Sequence, residues 1–270
     1  MYGQEQQFKP IKKFCIQDVY IHTGLFVERN PSGNLADFKT LAPKSNLLNG
    51  NFTNFNTNNG ISMNSNTMFS ILIGIKFSDK KKTSYKSNPL LRVGFSYFSG
   101  TSLTGYLYKE TRKTYDTLTS SQTGQNIYID SLTVQAYGMN YSSQQLRFDG
   151  SVIFRSDPTA RWSLFIGIGI TTGISINAKT QIYYSKYSRV ENQYFNNNST
   201  SFPSSGSGDY KSENFKQKNN FGASAFIPLG IDFRIGRKRE FWKRTHLFYE
   251  LRPGINITSI PELRTIINPS

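Results

Sequence analysis

Two histidines, one cysteine, a glycine-rich run and a scatter of charged side chains are the groups of this 270-residue chain that could do chemistry. His22 follows Asp18 by one helical turn or two strand pairs, and His with Asp or Ser is the pairing that acid–base hydrolysis uses. His246 lies far away in sequence, and the strand limits read below place it near one rim while His22 falls nearer mid-strand. Geometry precedes chemistry in any such claim, so the alternative stands beside it: His22 a hydrogen-bonder in an interior, His246 a rim residue. Gly167, Gly169 and Gly173 superficially resemble a loop that cradles phosphate. Their spacing is GxGxxxG, no helical pattern follows, and strict alternation passes straight through all three, which excludes a nucleotide turn. Cys15, alone, excludes an internal disulfide framework and offers no metal cluster; it reads as a strand residue. Catalytic residues, metal ligands and cofactors are all expected to be absent.

The charged and polar candidates share a placement. Tyr20, His22, Lys76, Arg92, Arg147, Asp149, Asp232, Arg234, Glu250 and Arg252 each sit at alternate positions, opposite apolar neighbours. The stretch "RWSLFIGIGITTGISINAKT", 161 to 180, shows the design most clearly. Its even positions are Trp162, Leu164, Ile166, Ile168, Ile170, Ile174 and Ile176, and its odd ones mostly glycine, serine, threonine and asparagine. Period-two alternation of that length is a long β-strand with unlike faces. It recurs at 14 to 28, 67 to 78, 89 to 100, 144 to 155, 220 to 236 and 243 to 258.

Composition narrows what such strands can build. Charged residues are 18%, below the roughly 25% of soluble domains, while aromatic residues reach 14%. The net charge of +15 raises the question of nucleic acid. Its basic residues are split among unconnected turns and lack the aromatic platforms of a binding face, so no nucleic-acid partner is expected. No apolar run approaches a transmembrane helix, and "MYGQEQQFKP" does not read as a signal peptide, so an exported protein would be in its mature form here.

Two architectures share the pattern: a soluble barrel with its apolar face inward and a membrane barrel with that face toward lipid. A soluble barrel's other face would carry scattered Lys, Glu and Thr; here it is Gly and Ser with a few charges, as suits a crowded lumen. The expectation is an all-β, antiparallel transmembrane up-and-down β-barrel in the cell outer membrane, one domain over 1–270. Phe14, Tyr97, Phe98, Trp162, Phe241 and Trp242 would form interfacial girdles. Connections at 78–89, 155–161 and 235–244 are short and basic, with Lys9, Lys12 and Lys13 before the first strand, and would be periplasmic. Those at about 29–66, 101–143 and 179–219 are long and polar and would be extracellular. Within the first, "NLADFKTLAPKSNLL", 34 to 48, predicts a short amphipathic helix stopped by Pro43, either packed over the barrel mouth or a docking surface.

Parity favours eight strands, with 101–143 one long β extension; ten follow if "TYDTLTSS" and "DSLTVQAYGMNY" cross as well. The closing strand, in "SIPELRTIINPS", alternates poorly and carries two prolines. It either closes the barrel irregularly or belongs to a chain that lacks its true end.

The stretch "YGMNYSSQQLRFDGSVIFRSDPTARWSLFIGIGITTGISI" resembles the outer-membrane β-barrel proteins of Bacteroidota, where a strand ending in Phe-Arg, a short polar turn and a W-S-L-x-x-G-x-G strand recur. The likeness covers the barrel strands and implies an outer-membrane location, with outer-membrane lipid and partner proteins as neighbours. Such barrels serve as accessory subunits, transport components or proteins of unassigned role, so no site residue carries over, and the ending at Ser270 departs from their usual aromatic terminus. Eight strands enclose a space just wide enough for side chains to fill. Mixed charges would pair across it, with Gly167, Gly169, Gly173 and Ser175 leaving room for the arginines. The function expected is a non-catalytic structural, accessory or binding component of an outer-membrane assembly. A small selective pore and a barrel-embedded hydrolase or acyltransferase are the alternatives.

Overall fold

The structure, a computed structural model, describes residues 14–30, 32–57, 62–77, 89–119, 121–122, 124, 126–157, 160–192, 208–236, 245–263 and 265–269. It is all-β with one α-helix. The elements are β1 (Phe14–Asn30), α1 (Leu35–Leu41), a 3-10 turn (Leu47–Asn49), β2 (Asn56–Thr57), β3 (Ser62–Phe77), β4 (Leu90–Thr119), β5 (Asn126–Arg155) and β6 (Trp162–Asn192). They continue as β7 (Asp209–Lys216), β8 (Phe221–Phe226), β9 (Leu229–Arg234), β10 (His246–Leu251), β11 (Gly254–Ser259) and β12 (Thr265–Pro269).

All pairings between these strands are antiparallel. The order is β1-β3-β4-β5-β6-β8-β11-β12, with β7 and β9 prolonging β8 along β6, and β10 prolonging β11. Grouped that way, seven longer antiparallel runs and the short β12 follow one another in chain order, and the sheet curls as a half-barrel. Two runs read from sequence as single strands, 220–236 and 243–258, are each interrupted at a proline, Pro228 and Pro253. Proline removes a ladder donor. The breaks lie side by side, and carbonyls still find partners there: Gly167 donates to Pro228 at 2.8 Å and Ile227 to Pro253 at 2.9 Å.

The faces follow the alternation. Val19, Ile21, Leu25, Phe69, Phe95, Leu164, Ile166, Ile168, Ile170, Leu247 and Tyr249 all point outward and are exposed, Leu25 by 74% and Ile168 by 68%. Serine, aspartate and arginine take the inward face and are buried, Arg92, Ser96 and Asp149 fully so. The fold is thus apolar outside and polar inside along its lower half. Phe98 corrects one expectation: it shares the parity of Arg92 and Ser96, so it turns inward against Phe26 (centroids 5.3 Å apart) instead of joining an outer girdle. Trp162 is exposed, while the side chain of Phe14, together with Phe241 and Trp242, lies outside the described residues, as do Lys9, Lys12, Lys13 and the basic stretches 78–88 and 237–244.

Strand length is where sequence fell short. β4, β5 and β6 run 30, 30 and 31 residues, against the roughly nine to eleven that a tilted strand needs to cross a bilayer. The 101–143 segment is one β extension, as parity favoured. Within the 179–219 segment two stretches are strand: β6 continues to Asn192 and pairs with β7, Lys179 opposite Lys216 through Lys186 opposite Asp209. Alternation is faint there because few side chains of that hairpin, Ala178, Ile182 and Phe215 among them, meet the apolar cluster.

The helix forms where predicted. Asn34 accepts the Asp37 amide at 2.8 Å, and the Asp37 carboxylate accepts the Asn34 amide at 3.0 Å, a reciprocal cap at the N-terminus. Pro43 bars continuation beyond Ala42. Phe38 and Leu41 drive into a cluster with Leu48, Leu103, Leu107, Met139, Tyr141 and Ile182. The hydroxyl of Ser45 donates to Glu213 of β7 at 2.5 Å and Gln217 donates to the Leu41 carbonyl at 2.7 Å, tying the helical segment to the strands around it. The half-barrel therefore has an apolar upper storey capped by α1 above a polar lower one. Beside it, burial pushes the phenol of Tyr137 above its ordinary value. No α-helix among the described residues is long and apolar enough to cross a membrane, which says nothing of strands.

Candidate functional site

The inward charges assemble into a balanced group across the interior. Arg92 from β4 donates to Glu250 from β10 at 2.6 Å, and the other Glu250 oxygen accepts from Arg252 at 2.6 Å. Arg252 reaches on to Asp149 of β5 at 2.9 Å and to His22 Nδ1 of β1 at 2.8 Å. Two guanidiniums thus meet two carboxylates. Ser96 Oγ lies 2.7 Å from both Asp149 and Ser70, and Arg92 Nε donates to Ser151 at 3.2 Å. Burial on this scale is tolerated only where charges are paired, as these are, although Asp149 Oδ1, one Arg92 nitrogen and His22 Nε2 are buried without a hydrogen-bond partner. Aromatic rings complete the packing: Arg252 stacks over Phe226 at 4.8 Å, and Phe248 lies 4.5 Å from the His22 ring.

Below this group, Arg155 lies 3.5 Å from Asp18 and 3.6 Å from Asp232 and donates to the Tyr20 hydroxyl, which itself donates to Asp18 at 2.9 Å. His246 meets Asp232 at 2.9 Å. Above it, Arg147 breaks an expectation. It contacts neutral acceptors, Gln145 at 2.7 Å and Asn256 at 2.7 Å, and sits 4.5 Å over the Phe98 ring. Its link to a carboxylate runs through Asn256, which donates to Glu28; Glu28 also accepts from Asn66 at 3.1 Å. In register Arg147 lies between Ser96 of β4 and Gly173 of β6, neither of them acidic, and Asp149, two residues along the same face, is engaged by Arg252 and Ser96.

The structure brings Tyr20, His22, Arg92, Asp149, Asp232, Glu250 and Arg252 into these networks. Lys76 is half-buried at the lower end of β3 and takes part in no ion pair among the described residues. Arg234 is half-buried at the end of β9, opposite His246 in register. The two histidines keep different partners, an arginine for His22 and an aspartate for His246. No group of three metal-ligating side chains occurs among the described residues.

The glycines make room, though not all those expected. A Cβ at Gly222 would fall 2.0 Å from Gln145 Oε1 and 2.6 Å from an Arg147 nitrogen, so Gly222 gives Arg147 its place. At Gly169 the obstacle is the Phe226 ring, 2.4 Å away. Gly167 and Gly173 face neighbouring backbone instead, the Val152 and Leu146 carbonyl oxygens at 2.1 Å, and so permit close strand approach rather than an arginine.

Glu28, Arg155, Gln145, Asn220 and Asn256 join the networks without having been singled out. All lie on the polar side of the same alternation; only the partner met across the interior distinguishes them, and spacing within a strand does not give that. Beside the network lies a cavity of about 930 Å³ bordered by His22, Phe26, Arg147, Phe226, Phe248 and Arg252. It opens between β1 and β10, whose outward residues Ile21, Leu25, Leu247 and Tyr249 also border it. No family model, curated protein or solved structure matches this chain.

Proposed function

We propose that the chain is an outer-membrane β-barrel acting as a non-catalytic structural or binding component of an outer-membrane assembly. One observation carries this: the polarity is inverted relative to a soluble barrel, with isoleucine and leucine exposed over the outer face and paired charges filling the inside. An apolar band so continuous is disfavoured in water and favoured in hydrocarbon, whereas the inward arginines and carboxylates, knitted to one another, block the space a solute would use. The resemblance of residues 137–176 to Bacteroidota outer-membrane barrels agrees with that setting. The long hairpins and the α1 cap supply polar surface for a partner, since loops on a rigid scaffold usually hold the binding residues. Reconstituted in a planar bilayer, the protein is expected to give no steady conductance. Discrete lasting openings whose ion selectivity changes with Glu250→Gln would replace this reading with a pore.

A further inference from the structure

We propose that the outer face of the upper sheet, a tyrosine wall spread over β4, β5, β6 and β7, binds the saccharide chain of a glycolipid in the surrounding outer leaflet. This rests on the membrane reading above. The register shifts along β5 fall on its neighbours, so β5 keeps its parity upward from Leu146, and the face that is apolar and outward below continues outward above. Its composition changes there. One row across the four strands is Thr104, Asn140, Gln181 and Asn214; the next is Tyr106, Gly138, Tyr183 and Ser212; the third is Tyr108, Ala136, Ser185 and Tyr210. In a chain of net charge +15, none of these twelve positions is charged and none is a large aliphatic residue.

The rings form a platform. A Cβ at Gly138 would overlap the Tyr183 ring, so that ring lies across the β5 backbone. Tyr106 and Tyr108 stand together on β4, their centroids 6.0 Å apart and their planes within 27°. Tyr106 and Tyr210 are exposed, by 42% and 65%. Burial first, and then the phenols of Tyr187, Tyr183 and Tyr108, push the Tyr106 hydroxyl above its ordinary value, which keeps it a donor at neutral pH. The amides of the row beneath are open. Asn140, Gln181 and Asn214 make no side-chain hydrogen bond among the described residues, whereas Asn66, Gln145, Asn220 and Asn256 of the interior are all bonded.

Height and chemistry select the occupant. Leu146 lies opposite Ile174 at the top of the apolar band, and Gly138 lies eight residues further along β5. That is about 26 Å of strand, or about 20 Å of height at a tilt of about 40°. The interfacial layer of a bilayer is about 5–7 Å deep on each side, so these tyrosines stand clear of an aromatic girdle and of phospholipid headgroups. What rises beside the wall at that height is the sugar chain of a glycolipid. A pyranose presents C–H groups on its faces and hydroxyls round its edge; the first suit an aromatic ring, the second amides and phenols. A protein partner calls for an apolar centre, and the central strand here offers Gly138 and Ala136.

The test uses the full chain in a detergent without a sugar headgroup. Its probe is the lipid-free saccharide released by mild acid from outer-membrane lipopolysaccharide. In NMR, saturation of the aromatic protons is expected to pass to the ring C–H protons of the sugar. Tyr106→Ser and Tyr183→Ser should each lower affinity about fivefold, the order of one ring contact. Asn214→Ala, on the exposed edge of β7, leaves the fold intact and should lower it about threefold, the order of one hydrogen bond. Tyr115→Ser, exposed on β4 beyond the wall, should change nothing. In native membranes, Tyr210→p-benzoylphenylalanine should give a light-dependent adduct containing both sugar and fatty acid. Three results overturn the proposal: no transfer to the released saccharide, a loss with Tyr115→Ser equal to that with Tyr183→Ser, or an adduct with a protein or a lipid-free polysaccharide. If the protein is heat-modifiable and non-conducting while these tests fail, this inference falls and the membrane reading stands; solubility without detergent would remove both.

Discussion

Glu250 holds two guanidiniums, so at the scale of single residues it is the position whose change should cost most. Glu250→Gln leaves buried Arg92 without its carboxylate and Arg252 with Asp149 alone, and breaking such a pair costs about 3–5 kcal/mol. Arg147 is a different case. It meets neutral oxygens directly, so Arg147→Met should cost about 1–3 kcal/mol, the range for unmade hydrogen bonds to buried groups. Urea unfolding of the two variants in lipid vesicles orders them, and an equal loss would mean that Glu28 pairs with Arg147 more directly than through Asn256. Gly222→Ala sets a methyl against Gln145 and Arg147 and is expected to cost about 1–3 kcal/mol by overpacking. The same change at Gly24, where a Cβ meets nothing within 4 Å, should be tolerated in the same assay.

At the scale of elements, α1 is a cap that belongs to the upper storey and not to the ladder. Seven residues do not hold a helix alone, so its stability is that of Phe38 and Leu41 in their pocket together with the Asn34–Asp37 cap. Phe38→Ala removes about 3–5 kcal/mol of packing, which exceeds what the cap and the Ser45 and Gln217 bonds can restore. Limited proteolysis should then open residues 34–57 while the strands stay protected, because the ladders of β3 to β6 do not depend on the helix. Loss of strand protection in the same variant would show that the cap and the sheet fold as one unit. The hairpins of β4–β5 and β6–β7 raise a related point, since the exposed ends of β4 and β7 are strand by pairing and not by burial.

For the whole molecule, the decisive property is which face meets the solvent. If hydrocarbon surrounds the lower half, Ile168→Arg costs about 2–4 kcal/mol near the midplane, whereas Asn54→Arg, on an exposed turn, changes little. Unfolding in vesicles measures both, and equal tolerance would mean water bathes the isoleucines. A strand-built wall in detergent also resists unfolding until boiled, so heated and unheated samples are expected to migrate differently on gels. Identical migration, with solubility in the absence of detergent, would instead describe a soluble half-barrel.

Alternation alone determined the strands around Ile71, Phe95, Phe148 and Ile168 and assigned those four residues to the outer face, because a strand's side-chain period is a local property of the backbone. The α1 segment was legible for a similar reason: its cap, its spacing and Pro43 all act within ten residues. Three things were decided only by the tertiary structure. The outer ends of β4 and β7 are strands through their neighbours' hydrogen bonds, which leave no mark on a sequence without a buried face. The partners of Arg147 and Glu28 depend on the stagger between strands distant in the chain, Glu28 meeting Asn256 across 228 positions. The gap between β1 and β10 depends on how far the sheet curls, a sum of small twists over every ladder that no single strand encodes.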